Sequence, residues 1–108
     1  MTVKEIAQKL SLSTLTNVNE DALVSGCYIG DLLSLVMSKA QSGDAWITIQ
    51  GNVNVPAVAS LTGVSMVIIA EGMSLDENAK LRAEDEGIAV YSSPKSAYSL
   101  ACEIKECL

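Results

Sequence analysis

Two short stretches of this 108-residue chain carry the residue types that ligand chemistry needs. Gln50-Gly51-Asn52-Val53-Asn54 sets a glycine and two asparagines just ahead of a helical pattern. Free backbone amides and the partial positive end of a helix there favour a phosphate or carboxylate. Glu71-Gly72-Met73-Ser74 adds a carboxylate suited to a hydroxyl, an amine or a cation, and a glycine that permits close backbone approach. No Gly-Lys-Ser/Thr follows Gly51, so this is no Walker loop, and the three-glycine spacing of a dinucleotide fingerprint is absent. Ordinary structural roles account for the same residues. Asn54 is placed to cap the helix that follows, and Ser74 and Glu77 stand at capping-box spacing.

Covalent and acid–base chemistry find no support. The chain has no histidine, which removes the commonest general base and the usual serine and cysteine triads. Glu84-Asp85-Glu86 falls on a helix end before Gly87 and reads as a solvated surface. With no nucleophile and base to assign, the chain reads as a non-enzyme. Its three cysteines cannot all pair with one another. Cys102 and Cys107 are about 140° apart around a helix of 3.6 residues per turn, and no CxxC pair exists, so structural zinc and iron–sulfur sites are not expected. No cofactor is expected.

The elements that would position the two stretches follow from periodicity. Ala45, Ile47 and Ile49 alternate as in a strand. After the polar turn, Pro56 sits just inside a helix whose apolar side is Val55, Val58, Ala59 and Leu61, and which stops at Thr62-Gly63. Met66-Val67-Ile68-Ile69-Ala70 is unbroken apolar sequence, as in a parallel strand covered on both faces. The pattern recurs on either side. Leu32, Leu33, Val36, Met37 and Ala40 form one side of a helix ending at Ser42-Gly43, and a helix opening at Ser74 ends at Gly87 and feeds Ile88-Ala89-Val90-Tyr91. A last helix opens after Ser93, with Pro94 just inside it, and carries Ala97, Leu100, Ala101, Ile104 and Leu108. Upstream, Thr2 and Glu5 cap a helix with Val3, Ile6, Ala7 and Leu10, and the stretch from Leu10 to Thr16 then turns into a short extended piece. Ala22 to Ile29 reads as a strand interrupted at Ser25-Gly26. Strand, helix and strand with short joints mean parallel pairing. The fold class is α/β, a layered, mainly parallel sheet of about four or five strands flanked by helices, in one domain over residues 1–108. The turns at Gln50–Asn54, Ala70–Ser74 and Ser92–Pro94 then gather at the carboxyl edge, where open α/β sheets bind ligands.

Composition narrows the partners. A net charge of −6 repels nucleic acid and anionic membranes at long range. Val3 to Ser13 looks like the opening of a helix-turn-helix, but no Lys or Arg lies between Lys9 and Lys39 to meet phosphates. With no apolar run longer than the five residues Met66 to Ala70, no membrane span is expected, and three reduced thiols fit a cytoplasmic location. The hydrophobic fraction is 49 % with few aromatics, so the core must be mostly aliphatic.

From about Leu15 to Ile104 the order of elements resembles the DRTGG domain. The residues that carry the likeness are Asp31-Leu32-Leu33 opening a helix, Gly43-Asp44 before Trp46-Ile47-Thr48, and Gly51 after that strand. Ile68-Ile69-Ala70-Glu71-Gly72 and the joint Glu86-Gly87-Ile88-Ala89-Val90 continue it. Where relatives carry Asp-Arg this chain has Asn52-Val53, and where they carry Thr-Gly-Gly it has Ala70-Glu71-Gly72, so Gly72 alone remains of the signature. The resemblance implies a fold similar to the N-terminal domain of HPr kinase/phosphorylase and a regulatory, ligand-sensing or partner-binding module that self-associates, here as a homodimer. It further implies a redox setting, since stand-alone relatives are often encoded beside iron-only hydrogenase subunits. A protein–protein adaptor or assembly factor for such an enzyme is the alternative. If a small anionic ligand or nucleotide binds, its site is expected where Gln50, Gly51, Asn52 and Asn54 meet Glu71 and Gly72.

Overall fold

No residue of Met66-Val67-Ile68-Ile69 can face water comfortably, and in the computed structural model, which describes residues Met1–Leu108, none does. This strand, β4 (Met66–Ile69), lies beside β3 (Asp44–Thr48), which is buried along its whole length as well. The two run parallel with Ala45 opposite Met66 and Ile47 opposite Ile68. Parallel neighbours complete the sheet on each side, β2 (Gly26–Ile29) against β3 and β5 (Val90–Ser92) against β4. A two-residue strand, β1 (Ser13–Thr14), closes the far edge antiparallel to β5, for a spatial order β1-β5-β4-β3-β2.

Alternation along the buried strands divides the interior in two. Ala45, Ile47, Met66, Ile68 and Tyr91 point into one core, under α1 (Val3–Lys9) and α5 (Ala97–Cys107), where they meet Ile6, Leu100 and Ile104. Trp46, Val67, Ile69 and Val90 point into the other, with Val36 of α2 (Leu33–Lys39), Val55, Val58 and Ala59 of α3 (Asn54–Thr62) and Ala83 of α4 (Glu77–Asp85). Both cores are mainly aliphatic, with Trp46 and Tyr91 as their largest fully buried side chains. Burying a side chain of this size stabilises by about 1.5–3 kcal/mol.

Several local expectations change. The strand expected over residues 22–29 shortens to Gly26–Ile29, because residues 22–24 pair with the start of the chain: Val3 N–H donates to the Ala22 carbonyl, and Val24 N–H to that of Met1. Ile49 is not part of β3; the strand stops at Thr48, and Ile49 is exposed. Ser74 does not cap α4, which begins three residues later with Asp76 as N-cap and no side-chain cap bond. Pro94 precedes its helix instead of entering it, and Ser96 caps α5 by accepting from Ser99 N–H. Of the apolar side expected on α2, Val36 alone is fully buried, while Leu32 and Met37 face solvent. The Thr2–Glu5 capping box forms, with Glu5 N–H donating to Thr2 Oγ1 and Thr2 N–H to Glu5 Oε1.

All three cysteines are unpaired. Although Cys27 reaches solvent, burial of its thiol on β2, and secondarily the Asp44 carboxylate, push it up to about 11. The unfolded chain therefore ionises this thiol first, so its contribution to stability is intact below the ordinary thiol pKa and is lost as pH rises through about 11. In a Cys102→Ser, Cys107→Ser background, iodoacetamide labelling of Cys27 should be slow at neutral pH and should still be accelerating above pH 9. A labelling rate that levels off near the ordinary thiol pKa would contradict this environment.

Candidate functional site

With β2 to β5 all parallel, the loops that leave them collect along one edge. Asp31, just past β2, organises the first of these. Its Oδ1 accepts from Thr48 Oγ1 at 2.9 Å and from Ile49 N–H at 2.8 Å, and its carbonyl accepts from Gln50 Nε2 at 3.2 Å. Gln50 Oε1 in turn accepts from Asn52 Nδ2 at 3.2 Å. Asn52 Oδ1 accepts from Asn54 N–H at 2.9 Å, so the residue that satisfies the start of α3 is Asn52, not Asn54. Gln50, Asn52 and Asn54 thus come together, but the side chains of Gln50 and Asn52 are already bonded to Asp31, to each other and to Asn54 N–H, while the exposed Asn54 side chain makes no hydrogen bond. An Asx turn at a helix start uses the side-chain oxygen in this way.

Gly51 faces the next loop directly. Its carbonyl accepts from Asp76 N–H at 2.8 Å, and a Cβ on Gly51 would collide with the Ser74 carbonyl oxygen. Backbone from Ser74 to Asp76 therefore occupies the space beside Gly51. Glu71 and Gly72 turn the other way. Both have left-handed backbone, φ +61° and +69°, the region open to glycine and uncommon elsewhere. Glu71 N–H donates to the Lys95 carbonyl and Gly72 N–H to that of Ser93, each at 2.9 Å, tying this turn to the joint between β5 and α5. The six expected residues form two groups on one edge, four around Asp31 and two against residues 93–95.

An open cleft of about 450 Å³ lies across the segment from Gly72 to Leu75, which forms one of its walls. Thr14 and Leu15 of the β1 region, Ser92 at the end of β5 and Lys80 on α4 form the others. Lys80 is the only charged side chain around it, and the hydroxyls of Thr14, Ser74 and Ser92 have no protein partner. Gly72 is the single residue shared with the sequence expectation. Met73, Ser74 and Ser92 lie in turns expected at this edge, whereas Thr14, Leu15, Leu75 and Lys80 were missed, Thr14 and Leu15 because they reach the cleft only through the antiparallel β1–β5 pair, a contact across most of the chain. The one signal in the sequence for Thr14 and Leu15 was the short extended piece expected within residues 10–16. A smaller hollow of about 350 Å³ lies beside α1, bordered by Lys4, Gln8 and Glu20. Glu20 is already engaged, accepting from the Tyr91 hydroxyl, and burial together with this carboxylate holds the phenol well above its ordinary pKa.

No protein-family model matches the chain, and no curated protein matches it in sequence. Among solved structures it is similar to the CBS and DRTGG domains of the regulatory region of Clostridium perfringens pyrophosphatase, a structure complexed with the activator diadenosine tetraphosphate. The TM-score is 0.73 at 15 % identity, over 99 % of this chain and 47 % of that one. The likeness establishes a DRTGG-like α/β fold, and this chain spans just under half the length of its structural neighbour.

The packing of the two loops is directly testable. Gly51→Ala should lower stability by about 1–3 kcal/mol, the range for forcing an extra carbon into filled space. A urea midpoint equal to that of the unchanged protein would show that the Gly51–Ser74 approach is not a constraint.

Proposed function

We propose that this domain is a non-catalytic regulatory module that senses a small ligand at the carboxyl edge of its sheet. The observation that carries the reading is the cleft beside Gly72, which opens where parallel strands release their loops and where α/β sheets hold ligands. Its volume falls in the range of about 300–1,000 Å³ usual for small-molecule sites. The structural neighbour, a regulatory region crystallised with a nucleotide activator, supports the same class of function.

Signal transfer follows from the hydrogen bonds at this edge. A ligand against Gly72 and Ser74 would shift the segment whose Asp76 N–H holds Gly51, and through it the turn of Gln50, Asn52 and Asn54. The bonds from Glu71 and Gly72 would carry the same shift to the start of α5. In this reading Gly72 touches the ligand and the other five residues, Gln50, Gly51, Asn52, Asn54 and Glu71, respond to it through these bonds. A thermal-shift screen against nucleotides, acyl phosphates and small carboxylates should find a stabilising ligand, by about 2.7 kcal/mol when present at a hundred times its Kd. Gly72→Asn, which tolerates left-handed backbone and fills part of the cleft, should abolish that stabilisation. Stabilisation that persists in the variant would move the site off this edge.

The module also pairs with a second copy of itself in this reading. β2 is an edge strand, and Ile29, Leu32 and Leu35 beside it are 47 %, 66 % and 44 % exposed. Asp31, the carboxylate in their midst, is bonded inward to Thr48 and Ile49, which leaves an apolar flank suited to a two-fold contact. Sedimentation should give a dimer at micromolar concentration that persists at high salt and is weakened by Leu32→Lys; a monomer in both salts would refute the pairing.

A further inference from the structure

The cleft beside Gly72 has a chemistry that narrows its ligand, and we infer that it takes a small phosphomonoester with an apolar body, anchored by Lys80. The inference rests on the ligand-sensing reading above and goes beyond it in naming the class. The chain carries thirteen acidic and seven basic side chains, yet the cleft is bordered by a lysine and by no carboxylate. Two of the six other cations are paired elsewhere, Arg82 with Glu86 at 3.3 Å and Lys95 with Glu103 at 2.9 Å, and Lys80 is the one that borders this cleft. Lys80 is half-buried and has neither an ion pair nor a hydrogen bond from its ammonium group. An unpaired ammonium beside a polar cleft favours an anion, because the charge-assisted bonds it would form are stronger than neutral ones.

The rest of the wall fits the other parts of such a ligand. Thr14, Ser74 and Ser92 offer three uncommitted hydroxyls, and the Ser74 and Leu75 amides make no bond within the protein. A phosphoryl group has enough acceptor oxygens to use a lysine and several such donors together, whereas a carboxylate has two oxygens. Leu15 and Leu75 supply an apolar wall for the ligand body. One cation matches a phosphomonoester better than a polyphosphate, whose further charges would find no partner in this cleft and would meet the repulsion of a net charge of −6. The class is thus set by what the walls leave unpaired.

Isothermal titration with AMP, adenosine and ATP as probes tests the inference, with adenosine lacking the phosphate and ATP overcharging it. AMP should bind saturably, with adenosine and ATP each roughly tenfold weaker or more. Lys80→Gln should weaken AMP by a similar factor, Lys80→Arg should retain most of its affinity, and the urea midpoint of both variants should verify the fold. No saturable AMP binding, or AMP binding unchanged in Lys80→Gln, would overturn the phosphomonoester assignment. Adenosine binding as tightly as AMP and lost in Gly72→Asn but not in Lys80→Gln would overturn it while leaving ligand sensing at this edge intact. AMP binding indifferent to both substitutions would overturn the two together.

Discussion

β3 and β4 have no residue open to solvent along their length, and that burial governs the rest of the molecule. A strand pair removed from water on both faces needs helices above and below, and every backbone group in it must be paired within the ladder. Its two polar members show how tightly the ends are held. Asp44 opens β3, and its carboxylate accepts from Gln41 N–H at 2.8 Å. Thr48 closes the strand, donating to Asp31 and accepting from Gln50 N–H at 3.1 Å. Each polar group that enters the interior does so by ordering the loop at that end of the strand.

From parallel pairing comes the placement of the outgoing loops. Right-handed crossovers return the chain to the same starting edge each time, so the opposite edge collects the outgoing loops. At the β3 side this edge is closed. The Asp31 network engages the side chains of Gln50 and Asn52, and the Gly51–Asp76 contact stacks one loop on the next. At the β5 side it stays open, because β1 is only two residues long, runs antiparallel, and brings no helix-capped loop of its own to that edge. The cleft is the space between a full crossover, through α4, and a strand too short to fill it.

This division also explains which features were legible in the sequence. The unbroken run from Met66 to Ala70, the alternation at Ala45 and Ile47, and the glycines after α3 and α4 report local constraints, and the sheet, its direction and the edge where its loops gather follow from them. Gly63 and Gly87 do adopt left-handed backbone. What failed was set by tertiary partners. Ser74 has the spacing of a cap to Glu77, yet its backbone is needed against Gly51, so the helix starts later. Residues 22–24 have strand character but pair with the chain start instead of the main sheet. Asn52 and Asn54 look alike as caps, and the choice between them depends on Gln50, which is itself fixed by Asp31 across the β2–β3 pair.

The same reasoning separates residues that look chemical from residues that are free to act. Asparagines and glycines before a helix are a good sign of a turn because their donors and acceptors can close on one another, and in the Gln50–Asn54 turn they have done so. A ligand there would first have to break bonds worth about 0.5–1.5 kcal/mol each. In the cleft beside Gly72, the Lys80 ammonium and the hydroxyls of Thr14, Ser74 and Ser92 bond to nothing in the protein. A ligand bound there would displace only water. Binding capacity in a domain this small resides in the polar groups that folding has left over, and these are found by accounting for the used ones first.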